Sequence, residues 1–148
     1  MDSPKTLYLI DDDMDDLDFF CEAVGAIDGS IICVKATDSA EVLKAFQRHD
    51  VPVPDLIFLD LNMPLVDGRR LLAELKSLRA YRNVPVIIYS TSSHPKDIEE
   101  TKQLGAASFL TKPYSQGELI NSLTQLFESQ WQGSPFLCEV RIPLINEG

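Results

Sequence analysis

The chain has 148 residues, 45% of them hydrophobic, which is enough for one domain with a real core. Its formal net charge is −10, and its 13 Lys and Arg residues form no visible basic patch, so direct nucleic-acid binding is not expected. No apolar run approaches the ~20 residues of a membrane span, and Met1-Asp2-Ser3-Pro4-Lys5 lacks the basic-then-apolar pattern of a secretory signal, so a cytoplasmic protein without membrane contact is expected.

Thr6–Ile10 predicts a strand that stops at Asp11-Asp12-Asp13. Leu17, Phe20, Cys21 and Val24 recur at helical spacing, with Gly25 as the helix stop. Ser30–Ala36 is a second strand. Asp38 and Glu41 have capping-box spacing and open a helix with Val42, Leu43 and Phe46 on one face. Pro52 and Pro54 punctuate the chain before a strand at Leu56–Asp60, and a loop over Leu61–Gly68 leads to a helix carrying Leu71, Leu72, Leu75 and Leu78. Val86–Ser90 is a fourth strand. Pro95 suits a first helical turn, followed by Ile98 and Leu104 and a stop at Gly105. Ser108–Thr111 is a fifth strand, and Ser115 with Glu118 caps a last helix bearing Leu119, Ile120, Leu123, Leu126 and Phe127.

Five β–α units with near-continuous apolar strands imply an α/β fold, a doubly wound parallel sheet with helices on both faces. Its crossovers should be right-handed, and its ligands should sit beyond the carboxyl ends of the strands. Those ends carry Asp11-Asp12, Asp60, Ser90-Thr91 and Lys112-Pro113. No glycine-rich phosphate loop follows any strand, and no Ser-His-Asp set suggests itself, so dinucleotide, Walker-type and acyl-transfer sites are not expected.

Clustered carboxylates are unfavourable by themselves: two unit charges ~4 Å apart repel by about 4 kcal/mol at an effective dielectric of ~20. A hard divalent cation such as Mg²⁺ removes that repulsion and prefers oxygen ligands. A carboxylate can also act as a nucleophile toward phosphorus. Lys112 could pair with Asp60 when it is free and with a phosphoryl oxygen when it is modified, and Ser90 could donate a hydrogen bond to a second phosphoryl oxygen. The turn holding Lys112 is fixed by Pro113, for which a cis peptide bond is one form.

In this arrangement the chain resembles the receiver domain of two-component response regulators over about residues 6 to 127. In Leu9-Ile10-Asp11-Asp12-Asp13, Asp11 and Asp12 match the family's metal-binding acidic pair. In Pro54-Asp55-Leu56-Ile57-Phe58-Leu59-Asp60-Leu61-Asn62-Met63-Pro64, Asp60 matches the phosphoacceptor, and Asn62 stands where the family uses a backbone carbonyl as a metal ligand. Ser90, closing Pro85-Val86-Ile87-Ile88-Tyr89-Ser90, matches the switch Ser/Thr. In Phe109-Leu110-Thr111-Lys112-Pro113, Lys112 matches the family lysine and Phe109 the aromatic switch. Each motif is weak alone. Together, in order and each at a strand end, they are specific. Thr91 departs from the pattern, standing where many members carry Ala or Gly.

The resemblance implies a flavodoxin-like strand order 2-1-3-4-5, Mg²⁺ as cofactor, and a sensor histidine kinase or phosphotransfer protein as phosphodonor. Within the family, single-domain regulators that partner phytochrome-like or other sensor kinases look most similar. The chain would then be a signalling domain whose only chemistry is its own phosphorylation and dephosphorylation. On phosphorylation Ser90 would move toward the phosphoryl group and Phe109 would turn inward.

Two other classes stay open: a receiver-like binding module that has lost the chemistry, and an aspartyl-phosphate hydrolase. The hydrolase would need a second carboxylic acid two residues after Asp60, where Asn62 stands.

Other features have plainer readings. Asp13, Asp15, Asp16 and Asp18 read as solvated helix-start charges favoured by the helix dipole. His49 and His94 read as exposed bystanders without metal-ligand spacing. Cys21, Cys33 and Cys138 show no CxxC spacing and read as buried free thiols of a reducing compartment. Residues 1–130 are the expected receiver. Residues 131–148, with Trp131, Phe136, Leu137, Val140, Ile142, Leu144 and Ile145, are too apolar for a free end and too short for an output domain, so they are expected to pack on the domain or on the partner in a homodimer.

Overall fold

A computed structural model describes residues 4–128 and 139–140. The elements run β1 (Thr6–Ile10), α1 (Met14–Ile27), β2 (Ile32–Ala36), α2 (Ser39–Arg48), β3 (Leu56–Leu59), α3 (Gly68–Ser77), β4 (Val86–Ser90), α4 (Pro95–Gln103), β5 (Ser108–Thr111), α5 (Gln116–Glu128) and β6 (Glu139–Val140). The strands are parallel, in order β2-β1-β3-β4-β5-β6. The predicted order 2-1-3-4-5 is present, and the two-residue β6 adds a sixth member beside β5, Phe109 opposite Glu139 and Leu110 opposite Val140. Trp131, Phe136 and Cys138 lie outside the described residues.

Strand side chains alternate between faces, and the two resulting sets build two cores. Tyr8, Ile10, Ile57, Leu59, Val86, Ile88 and Phe109 pack on one face with Leu43 and Phe46 of α2 and Leu71, Leu72 and Leu75 of α3. Leu7, Leu9, Leu56, Phe58, Ile87, Tyr89 and Leu110 pack on the other with Leu17, Phe20 and Val24 of α1 and Leu119, Leu123 and Phe127 of α5. Phe20 sits edge-on to both Phe58 and Tyr89, with centroids 4.7 and 5.0 Å away. Burying one such ring stabilises by about 1.5–3 kcal/mol relative to leaving it exposed. Because β3 and β4 are covered on both faces, they are buried throughout, and only Ser90 at the end of β4 and the Tyr89 hydroxyl interrupt their apolar run.

Several boundaries differ from the sequence expectation. Helix α1 runs through Gly25 to Ile27: Gly25 is exposed, with nothing within 4 Å of where a Cβ would stand, and Ile27 two residues on still packs on the core. The chain then turns at Asp28, whose carboxylate accepts from the Ser30 amide and hydroxyl at 3.0 and 2.6 Å, so Ser30 belongs to the turn and β2 begins at Ile32. Asp38 caps α2 as expected, accepting from Ala40 and Glu41 amides. Gly105 ends the α4 segment at φ +108°, a backbone conformation that favours glycine. His94 is exposed but not idle, since its Nδ1 accepts from the Lys96 amide and caps α4. Cys21 and Cys33 are half-buried rather than buried, and they meet across α1 and β2. The interaction between the two thiols lowers the pKa of Cys21 and, together with burial, raises that of Cys33.

Candidate functional site

Parallel strands deliver their carboxyl ends to one edge, and there the predicted residues meet. Asp11 follows β1, is 1% exposed, and donates its backbone N–H to the Ala36 carbonyl at 3.0 Å. Asp60 follows β3, is 6% exposed, and donates its own N–H to the Ile10 carbonyl at 3.0 Å, which ties the two strand ends together. Asp12 beside Asp11 is exposed. One carboxylate oxygen from each of Asp11, Asp12 and Asp60 lies within 4.8 Å of the others. Ser90 ends β4 fully buried, its Oγ accepting from the Ser92 amide at 3.2 Å. Lys112 follows β5; its backbone N–H donates to the Ser90 carbonyl at 2.7 Å, and its Nζ lies 2.8 Å from Asp11 Oδ2, 2.7 Å from Asp16 Oδ2 and 3.8 Å from Asp60 Oδ1.

The electrostatics show a concentration of negative charge that one ammonium only partly offsets. The Asp60 carboxyl is pushed up to about 6: burial raises it most, Lys112 pulls it down, and the neighbouring Asp11 raises it again. The Asp11 carboxyl is also raised by burial, against the hydrogen bonds from Lys112 and the Asp13 amide. For Lys112, burial alone would lower the ammonium's pKa, but its hydrogen bonds to Asp11 and Asp16 outweigh that and leave it raised. Asp11 and Asp60, which burial drives toward the neutral form, together with exposed Asp12 bring one oxygen each within 4.8 Å of one another, a donor set that fits a hard divalent cation.

A family model described as the response regulator receiver domain matches residues 7–124. The chain belongs to that family. It is 31% identical over 134 residues to the response regulator Rcp1 of Synechocystis sp., a match covering 86% of this chain and 89% of that one. Among solved structures, the phosphorylated cyanobacterial phytochrome response regulator RcpA superposes with a TM-score of 0.75 at 31% identity, over 86% of this chain and 93% of its own. The Mn²⁺-bound form of Rcp1 gives a TM-score of 0.72 at 27% identity, over 88% and 97%.

The receiver edge differs from the sequence reading in particular side chains. Asp16 is no solvated bystander, because its carboxylate holds the Lys112 ammonium. Asp13 is the α1 N-cap, accepting from the Asp15 and Asp16 amides, and Asp18 pairs with Lys35 at 2.7 Å. Asp16 stands four positions before fully buried Phe20 in α1, on the same helical face, a signal that it lies toward the sheet edge. Phe109 is already fully buried in the core, so the expected inward turn does not start from an exposed ring. Among the described peptide bonds none is cis, so the Lys112–Pro113 turn is held by the Lys112 amide and by burial of Pro113. Asn62 is exposed; its backbone N–H and that of Leu61 lower the Asp60 carboxyl's pKa. Thr91 is exposed as well.

Sequence reasoning also missed the clamp behind Ser90. Ser92 Oγ donates to Asp97 Oδ2 at 2.6 Å, and Arg69 of α3 donates to Asp97 at 2.7 Å and to Glu100 at 2.6 Å, so the β4–α4 loop is tied to two helices. No helix among the described residues is long and apolar enough to cross a membrane.

Proposed function

We propose that this receiver accepts a phosphoryl group on Asp60 from the phosphohistidine of a sensor histidine kinase or phosphotransfer protein, and signals in the cytoplasm through protein contacts made by its phosphorylated form. The observation that carries this reading is the grouping of the Asp60 carboxylate with Asp11 and Asp12, 3.8 Å from the Lys112 ammonium. The likeness to Rcp1 and RcpA supports a phytochrome-like kinase as donor.

Asp11, Asp12 and Asp60 through their side chains, and Asn62 through its backbone carbonyl, would hold Mg²⁺, which when bound would supply charge neutralisation for the transferring phosphoryl oxygens. The Asp60 oxygen attacks phosphorus in line, an O–P bond forms as the P–N bond to histidine breaks, and the electron pair leaves with the imidazole. Lys112 balances charge on one phosphoryl oxygen and Ser90 donates to another. Ser90 is fully buried, so its shift is felt by the loop it anchors through Ser92 and by Phe109, the residue whose strand neighbour is Ile88. Driving such a two-state element almost completely to one side takes ~5.5 kcal/mol of differential stabilisation.

The test is labelling by acetyl phosphate with Mg²⁺: wild type is labelled and Asp60→Asn is not. Labelling retained in Asp60→Asn would place the acceptor elsewhere. For the chain beyond residue 130 we propose an extension that packs on the domain or on a dimer partner, and the pairing of Glu139–Val140 with β5 supports the first. Deleting residues 132–148 should then lower the melting temperature or the oligomeric mass; no change in either would count against it.

A further inference from the structure

The Asp11 carboxylate is already engaged at both oxygens: Oδ1 accepts from the Asp13 amide at 3.0 Å and Oδ2 holds the Lys112 ammonium at 2.8 Å. A divalent cation drawn to Asp11 therefore meets a positive charge on the same carboxylate, and the two repel. The ammonium has an alternative anchor in Asp16 Oδ2, 2.7 Å away. Asp16 is outside the group of carboxylates whose oxygens converge, so cation binding leaves it free to keep the lysine. Its position is fixed from both sides. Asp13 caps the first turn of α1 through the Asp15 and Asp16 amides, and Leu17 next to it is fully buried. The Lys112 ammonium lies 5.4 Å from the centroid of the Tyr89 ring, which helps hold it on this side of the edge.

We propose that Asp16 is a positioning residue, which draws the Lys112 ammonium off Asp11 when a divalent cation takes that carboxylate. This rests on the reading of the edge as a Mg²⁺-dependent phosphoacceptor site. Without Asp16 the ammonium falls back on Asp11 and Asp60 and competes with the cation. Asp16 acts through Lys112, and that separates it from a charge that merely attracts cations at a distance.

The experiment is a double-mutant cycle on Mg²⁺ affinity, measured by calorimetric titration of wild type, Asp16→Asn, Lys112→Met and the double variant. With Lys112 present, Asp16→Asn should weaken Mg²⁺ roughly fivefold, and in the Lys112→Met background less than twofold. Asp16→Glu should recover most of the loss. An equal loss in both backgrounds would reduce Asp16 to bulk electrostatics, and no loss with Lys112 present would remove it from the site; either overturns the proposal. Melting curves confirm that each variant is folded, with Asp16→Ser as the substitute should Asp16→Asn not be. Labelling of wild type by acetyl phosphate is read in parallel. A labelled wild type with an unresponsive Asp16 defeats this inference alone, whereas an unlabelled wild type defeats the phosphoacceptor reading on which it stands.

Discussion

Gly68 backs onto the backbone of Asp60 so closely that a Cβ there would stand 2.9 Å from the Asp60 carbonyl carbon and 2.7 Å from the Leu61 Cα. The contact is sealed by the Gly68 amide, which donates to the Leu61 carbonyl at 2.8 Å, and by Asp67, which caps α3. The first turn of α3 thus supports the strand end that presents Asp60. Gly68→Ala cannot relieve the overlap by rotating a side chain, because its neighbours are backbone. The expected cost is about 1–3 kcal/mol, read as a lower urea midpoint, together with slower labelling by acetyl phosphate. A variant with wild-type stability and labelling would show that α3 can shift without moving Asp60.

The pH dependence follows from Asp60, whose carboxyl is pushed up to about 6, most of all by burial. The ionised form is the nucleophile, so labelling at limiting Mg²⁺ should fall as pH drops through about 6. Saturating Mg²⁺ favours the ionised form and should move that midpoint down. For stability the sign is opposite to that of an ion-paired carboxylate. The folded value lies above the ordinary 3.8, so the folded chain keeps a proton that the unfolded chain releases. The cation-free protein should therefore lose stability as pH rises from 3.8 to about 6, in urea titrations across that window, and Mg²⁺ should restore it.

Removing the ammonium exposes the repulsion it offsets. Lys112→Met leaves Asp11 and Asp60, which are 1% and 6% exposed, without their cation partner. Stability without Mg²⁺ should drop by about 1–3 kcal/mol at neutral pH. The drop should shrink on acidification, as the carboxylates take protons, and on adding Mg²⁺. Chemical denaturation under the four combinations of pH and Mg²⁺ reads this directly, and a loss independent of both would assign Lys112 a packing role.

The Arg69 clamp joins α3 to α4 through Asp97 and Glu100. These groups are partly exposed, so Arg69→Gln should cost only about 0.5–1 kcal/mol overall. Its sharper effect should be local. Thr101 is the one residue buried within α4, so the helix has few other ties. Amides of residues 95–103 should exchange hydrogen faster in the variant, while those of α1 and α5 should not. Unchanged exchange in α4 would mean that Ile98 and Leu104 hold the helix by packing alone.

Much of this protein was legible from residue order. Apolar strands ending in Asp11, Asp60, Ser90 and Lys112 gave both the layered parallel fold and the edge where chemistry belongs, because parallel strands must bring their carboxyl ends together. The boundaries that moved did so for local reasons: Gly25 is tolerated where its helix faces solvent, and Ser30 is claimed by the Asp28 turn.

What sequence alone determined is which residue types stand at the strand ends, since alternation and helical spacing are properties of the chain itself. What only the tertiary structure decided is which charge meets which. Asp16 and Lys112 are 96 positions apart, as are no two neighbours of a local motif, and their pairing depends on the packing of α1 and α5 on a shared face. The same holds for Gly68 beneath Asp60 and for Arg69 against Asp97. Contacts of this kind arise from distances between packed elements, and hydrophobic patterning fixes faces without fixing those distances.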